Sequence, residues 1–298
     1  MLVNRYYYLL FHLLLIFRVV PETAGQVIVE KDLQIRSEYL QKQVSLNIIL
    51  PADYYESSRY YPVVYLLHGL EGDHKDWIAL AGIDKLIDSL EIAGELCESI
   101  YVLPDAGNTY YINNYNNRIR YEDFFVRELV PYVDSAYRAQ THKSARSLMG
   151  LSMGGYGSII LAMKHPDTFG TVVALSASVR NNEMLIALPQ KRYESLFSNV
   201  YGPHLYGKER ITEHWIRHSP YYLIDSLNTA VISDMNWYMA CGLSDSLLPA
   251  NRALHNLFEN HQMKHTLVID AGEHNWSYWR SSAIPALQYL NQVVCSRQ

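Results

Sequence analysis

"SLMGLSMGGYGSII", Ser147 to Ile160, places one serine among four glycines, between an apolar run and a stretch with helical spacing. Gly150 and Gly154 flank Ser152 at two residues on either side, and Gly155 and Gly157 follow. Two physical reasons account for such a cluster. Glycine lets a tight turn pass close to a neighbouring backbone. The pattern G-x-S-x-G also describes a strand-to-helix elbow that holds a serine in strained backbone geometry, with its hydroxyl exposed. The pattern is short enough to recur by chance, so its context decides.

That context is an alternation of strands and helices. Upstream, "QVIVEKDLQI" and "QVSLNIILP" have strand character, and "YPVVYLLHG" (Tyr61 to Gly69) is a continuous apolar run ending in glycine, as a strand buried on both faces has. "DWIALAGIDKLIDSLEIAG" has helical spacing, with Ile83, Leu86, Ile87 and Leu90 on one face. "SIYVLPD" is another buried strand, and "IRYEDFFVRELVPYVDSAYR" a helix bent at Pro131. Around the serine, "ARSLMGLS" is a strand and "GGYGSIILAMKHP" a helix. "GTVVALSAS", "NWYMACG" and "HTLVIDAGE" are strands, and a last helix runs toward Gln298. This order predicts an α/β fold with a mostly parallel central sheet and helices on both faces. Residues 179–228 break the rhythm: polar, tyrosine-rich and weakly periodic, they are expected to form a small cap or lid inserted into a single domain, with Leu188 to Ile211 as the lid and "HSPYYLI" docking back on the core.

Composition bounds the function. The chain of 298 residues is 49% apolar and 18% charged, with a net charge of −5, so it is globular and carries no basic run suited to nucleic acid. Residues 1–25 stand apart. Arg5 precedes the apolar block "YYYLLFHLLLIF", Arg18 ends it, and "PETAG" offers small residues for cleavage near Ala24 or Gly25. The block is shorter than the roughly 20 apolar residues that span a bilayer. It fits a signal peptide, which predicts export to the periplasm or the exterior, a mature domain over residues 26–298, and no stable membrane anchor. The three cysteines, Cys97, Cys241 and Cys295, are widely spaced and form no disulfide framework, so free buried thiols are expected, with a single bridge of unassigned pairing after export as the alternative.

In this context Ser152 lies where a strand gives way to a helix, and the helix N-terminus beside it favours negative charge. A serine hydroxyl needs a base to become a nucleophile. His274, in the loop after the last strand, supplies one, and Asp245, in the loop after "NWYMACG", supplies the acid that orients it. The chain order serine, acid, histidine is the one this fold uses, and each residue follows the C-terminal end of a strand. Asp270 and Glu273 are rival acids, but they sit on or beside the histidine's own strand end. The N–H groups of Met153 and Leu70 are the expected oxyanion donors, one after the nucleophile and one in the loop after "VVYLLHG". His68 is expected to brace that loop. No paired Cys/His or H-x-x-x-H spacing falls near these residues, so neither a metal nor a cofactor is expected.

At these positions the chain resembles the esterases of the esterase D type within the α/β-hydrolase superfamily. That group includes acetylxylan and feruloyl esterases, S-formylglutathione hydrolase and mycolyltransferases. The resemblance rests on "YLLHGLEGDHKDW", "LPDAGNTYYIN", "YEDFFVRELVPYVDSAYR", "GLSMGGYGS", "CGLSDSLL" and "GEHNWSYW", in the family's order along nearly all the mature chain. It implies Ser152 as nucleophile, Asp245 as acid, His274 as base, and Leu70 and Met153 as oxyanion donors. It departs at "GLSDS", where Ser244 and Ser246 stand in place of the usual glutamate and bulky residue. A serine esterase acting on acetyl or feruloyl groups of carbohydrates is the function expected. A short-chain acyl esterase, an acyltransferase on the same scaffold and an inactive binding module are the alternatives. The loop "DAGNTYYINNYNNR" offers flat aromatic faces beside hydrogen-bonding groups, as sugars and aromatic acyl groups require. Tyr110 and Tyr111 from this loop, with Trp77 and Trp276, are the expected substrate contacts, and Trp279 is a further wall.

Overall fold

A computed structural model describes residues 26–226, 232 and 234–295. The expected signal peptide, residues 1–25, lies outside the described residues.

Eight strands form one sheet: β1 (Ile28–Ser37), β2 (Lys42–Leu50), β3 (Val63–Leu67), β4 (Ile100–Pro104), β5 (Arg146–Leu151), β6 (Thr171–Leu175), β7 (Asn236–Gly242) and β8 (Thr266–Asp270). Their order across the sheet is β1-β2-β4-β3-β5-β6-β7-β8. β1 and β2 form an antiparallel pair, β2 also runs antiparallel to β4, and all later pairs are parallel. This is an α/β-hydrolase-type sheet, mainly parallel, with helical insertions.

The continuous apolar runs have a simple cause. Side chains alternate between faces along a strand, and both faces here are covered. In β3, Val63, Tyr65 and Leu67 join one core cluster, while Val64 and Leu66 join the other. The first face is covered by α3 (Tyr121–Phe124), α4 (Val130–Ala136), α5 (Met153–Lys164) and α10 (Leu248–Asn260). The second face is covered by α1 (Asp76–Ala79), α2 (Ile83–Ile92) and α11 (Trp276–Val294). Burying one such Val or Leu stabilises the fold by about 1.5–3 kcal/mol.

The helices differ from expectation in three places. The single helix expected from Asp76 onward is two, because Gly82 has φ 63°, in the left-handed region, and breaks the ladder between α1 and α2. The bend expected at Pro131 is a five-residue π segment, Phe125–Leu129, between α3 and α4. Pro131 has no N–H to give, and the turn before it widens instead of kinking. The helix α10 has no counterpart among the elements expected from sequence.

The stretch after β6 folds as short helices: α6 (Asn182–Ile186), α7 (Gln190–Tyr201), α8 (Glu213–Ile216) and α9 (Pro220–Ser226). Asn228, the end expected for the insertion, lies outside the described residues. Its aromatic residues are mostly interior, with Tyr193, Phe197, Tyr201 and Trp215 buried. Tyr156 of α5 clamps the insertion down: its hydroxyl donates to the His218 carbonyl at 2.6 Å and meets the Tyr201 hydroxyl at 2.7 Å.

The cysteines correct the expectation of free thiols. Cys97, ahead of β4, is bonded to Cys295, at the end of α11, with Cα atoms 6.2 Å apart and a sequence separation of 198. Spacing carries no hint of a pair that only the docking of α11 brings together. Cys241 alone is free, and it is buried.

Candidate active site

Ser152 is the residue between β5 and α5, and its backbone is strained: φ is 52° and ψ −112°, outside the regions a side-chain-bearing residue prefers. The surrounding bonds hold it there. Its N–H donates to the Leu175 carbonyl at 2.9 Å, and its carbonyl accepts from Ser178 N–H at 2.9 Å and Tyr156 N–H at 3.1 Å. The glycines make the turn sterically feasible. A Cβ on Gly150 would run into the Gly154 backbone, and one on Gly154 would run into the carbonyls of Leu67 and His68. The glycine cluster around Ser152 is therefore a close-packing device that permits the serine's strained geometry.

His274 lies in the loop between β8 and α11. Its Nε2 is 3.0 Å from Ser152 Oγ, and its Nδ1 is 2.8 Å from Asp245 Oδ2. A carboxylate can only accept, so Nδ1 carries the proton and Nε2 presents a lone pair to the serine hydroxyl. Trp279 packs edge-on against the imidazole, with ring centres 4.9 Å apart. Asp245 is buried in the loop after β7, and its Oδ1 accepts from Leu247 N–H at 2.7 Å. Burial works against its charge, but hydrogen bonds from His274, Leu247 N–H and Ser176 outweigh it and hold the carboxyl below the usual range. The rival acids stand elsewhere. Asp270 is exposed and its carboxylate faces Tyr278, while Glu273 is exposed beside Asn275.

Met153 is the first residue of α5, so its N–H has no partner within the helix. Leu70, in the loop after β3, lines the same pocket as Ser152. His68 braces that loop: Nδ1 bonds the Gly69 carbonyl at 2.7 Å, and Nε2 accepts from Ala106 N–H at 2.9 Å, tying the loops after β3 and β4 together. Burial lowers its pKa, which favours the neutral ring this arrangement needs.

The pocket over Ser152 and His274 has a volume of about 270 Å³. Of the expected substrate contacts, Tyr110, Trp276 and Trp279 line this pocket. Two expected contacts do not. Trp77 is buried against the sheet, with its indole N–H donating to the Leu67 carbonyl at 3.2 Å and its ring behind Trp276. Tyr111 is fully buried, its hydroxyl on the His68 carbonyl at 3.1 Å and its ring filling the space that Gly157 leaves. Both support the wall from behind. Two asparagines of the Tyr111 loop, Asn113 and Asn117, line a separate polar pocket with α8. Sequence reasoning missed Arg180, Arg192 and Leu196, which line the active pocket from the insertion and its lead-in. Arg180 follows the C-terminal end of β6 by five residues, the sheet edge where ligands bind, and that position was the signal.

His255, Glu259 and His265 form the one group of three potential metal ligands among the described residues. His265 precedes β8, at the opposite end of the sheet from Ser152, and its ring already bonds His255 at 2.7 Å and the Met263 carbonyl at 2.7 Å. Among the described residues, no helix is long and apolar enough to cross a membrane.

A strained serine on a strand-to-helix turn, a histidine at bonding distance and a buried aspartate behind it define the serine hydrolases of the α/β-hydrolase fold. Within that class, the chain belongs to the esterase family described as "Putative esterase", which matches residues 37–290. An acetyl esterase of Caldicellulosiruptor saccharolyticus is 26% identical over 272 residues, covering 86% of this chain and 96% of that protein. The solved structure of a ferulic acid esterase has a TM-score of 0.76 at 26% identity, covering 91% of this chain and 99% of that one. A fluorophosphonate-binding serine hydrolase of Staphylococcus aureus shares the fold at a TM-score of 0.73 and 23% identity, over 89% of this chain and 99% of that one. The protein is an enzyme, an esterase acting on carboxylic esters of small molecules.

Proposed function

We propose that this is an exported serine esterase that removes acyl groups, acetyl or feruloyl, from carbohydrates through an acyl-enzyme. The observation that supports it most directly is the unbroken chain of hydrogen bonds Ser152–His274–Asp245, at 3.0 and 2.8 Å. His274 Nε2 takes the hydroxyl proton as Ser152 Oγ attacks the ester carbonyl. Asp245 stabilises the imidazolium that forms, without taking its proton. The N–H groups of Met153 and Leu70 meet the negative oxygen, assisted by the positive end of α5. The C–O bond to the alcohol then breaks, and His274 returns the proton to the leaving oxygen. Water repeats the sequence on the acyl-serine: it loses a proton to His274, attacks the carbonyl and releases the acid and free Ser152.

The acyl preference is supported by the relatives, one an acetyl esterase and one a ferulic acid esterase, and by the aromatic walls Tyr110, Trp276 and Trp279. Export is supported by the composition of residues 1–25 and by the Cys97–Cys295 bond, which persists in oxidising compartments. The test is fluorophosphonate labelling of Ser152, then hydrolysis of 4-nitrophenyl acetate, methyl ferulate and acetylated xylan by the mature protein. Labelling is lost in Ser152→Ala, and release of acetate or ferulate from the carbohydrate or ferulate esters is expected. Hydrolysis confined to the 4-nitrophenyl ester would remove the carbohydrate assignment, and labelling that persists in Ser152→Ala would remove the mechanism.

A further inference from the structure

Two arginines line the ester pocket, and neither is paired with a carboxylate among the described residues. Arg180, just past β6, and Arg192, in the first turn of α7, line it together with Ser152 and His274. Arg180 is half-buried, and what touches it is neutral. Its Nη1 donates to Ser178 Oγ at 3.0 Å, and the Phe197 ring centre lies 5.0 Å from its Cζ. Burial weakens its hold on the proton, and the field of Arg192 acts in the same direction. Among the described residues neither guanidinium makes a salt bridge. Asp76 is the one carboxylate among the residues lining the pocket, and it forms no salt bridge with either arginine among the described residues.

A half-buried cation with a second cation beside it costs free energy unless a ligand completes the site. The position of this charge ties it to the chemistry. Ser178, which holds the Arg180 guanidinium, also donates its N–H to the Ser152 carbonyl at 2.9 Å. An anion bound by Arg180 therefore lies within one small substrate's length of the ester bond.

We propose that the ester taken by this pocket carries a carboxylate, which Arg180 and Arg192 bind. The carboxylate belongs either to the acyl group, as in a hemiester of a dicarboxylic acid, or to the alcohol, as in an acylated uronate. A planar guanidinium suits this task because it donates two parallel hydrogen bonds to one carboxylate. A neutral ester of the same shape leaves both cations unpaired. The inference rests on the esterase reading and names its substrate class.

The test compares kcat/KM within two pairs of esters. The acyl arm sets monomethyl succinate against methyl butyrate. The alcohol arm sets an acetylated methyl glucuronoside against the acetylated methyl glucoside. In one arm the carboxylated ester is expected to lead by about 10- to 100-fold, mainly through KM, and that lead shrinks in 0.5 M salt. Arg192→Gln, at an exposed position that leaves folding intact, and Arg180→Gln each reduce the lead toward one, while Arg180→Lys retains part of it. Equal rates on both members of both pairs overturn the inference, as does a lead that survives in both glutamine variants. Hydrolysis of the neutral esters at those equal rates leaves the esterase reading standing, whereas loss of all ester hydrolysis and of fluorophosphonate labelling removes both.

Discussion

Asp245→Asn isolates the acid's role with almost no change of shape. Asp245 Oδ1 accepts from Leu247 N–H at 2.7 Å and Oδ2 faces His274 Nδ1 at 2.8 Å. An asparagine here keeps its oxygen toward Leu247, since the opposite flip sets two donors against each other. Its NH₂ then points at His274 Nδ1. The ring must accept at Nδ1 and carry its proton on Nε2, 3.0 Å from Ser152 Oγ. The serine hydroxyl then faces a donor and loses its base. A base in the wrong tautomer costs on the order of 10⁴ in kcat, or about 5.5 kcal/mol of transition-state stabilisation. The assay is steady-state hydrolysis of 4-nitrophenyl acetate, with the rate of fluorophosphonate labelling as a second readout and thermal melting as the control for folding. Both rates fall together while the variant stays folded. The same change at Asp270, whose exposed carboxylate faces Tyr278, is expected to cost less than tenfold. A mild Asp245→Asn beside a crippled Asp270→Asn would refute the assignment of the acid.

Three further outcomes follow from the packing. Gly154→Ala drives a methyl group into the Leu67 and His68 carbonyls, so thermal melting should show a loss of about 1–3 kcal/mol, with activity falling as the start of α5 is displaced. Burial opposes the charge of Glu122, yet bonds from His165, His218 and Lys164 win and hold its carboxyl well below the ordinary range. A depressed carboxyl stabilises the fold above its unfolded pKa and loses that contribution as pH falls through the folded value, so Glu122→Gln should flatten the acid side of a melting-temperature profile below about pH 4.5. Leu196→Trp narrows the pocket from α7 and should lower kcat/KM for bulky acyl esters relative to acetate. Equal losses on both would leave α7 a purely structural role.

Much of the fold was legible because strands buried on both faces leave uninterrupted apolar runs. β3, β4, β5 and β6 are each wholly buried and each stood out as a run. α10 was missed for the opposite reason: Asn251, Arg252, His255 and Asn256 interrupt its apolar positions, and Asn251 is buried. Its side chain is used for bonding rather than packing, accepting from Ala177 N–H at 3.1 Å and donating to the Ala177 carbonyl at 3.0 Å. Such a polar strut between β6 and α10 has no periodic signature. The break at Gly82 was hidden in a different way, because the apolar spacing runs on through a residue whose φ no pattern reports.

The site divides along the same line. Ser152, Asp245 and His274 could be placed because each follows the C-terminal end of a recognisable strand, and position along a parallel sheet is a statement about space. The aromatic contacts had no such anchor. Tyr110 and Tyr111 are adjacent and both have positive φ, 55° and 61°, so the chain turns sharply between neighbours of identical chemistry. One ring reaches the pocket, while the other goes beneath it to close over Gly157. Only the backbone turn separates a pocket wall from a core residue here, and residue type does not encode it. Arg180 is the converse. It stands at the sheet's active edge, five residues beyond β6, where a charged side chain must either find a partner or be one. The protein gives it Ser178 and the face of Phe197 but, among the described residues, no carboxylate, so a carboxylate on the ester would complete the site, and the two-arm comparison of carboxylated and neutral substrates measures that directly.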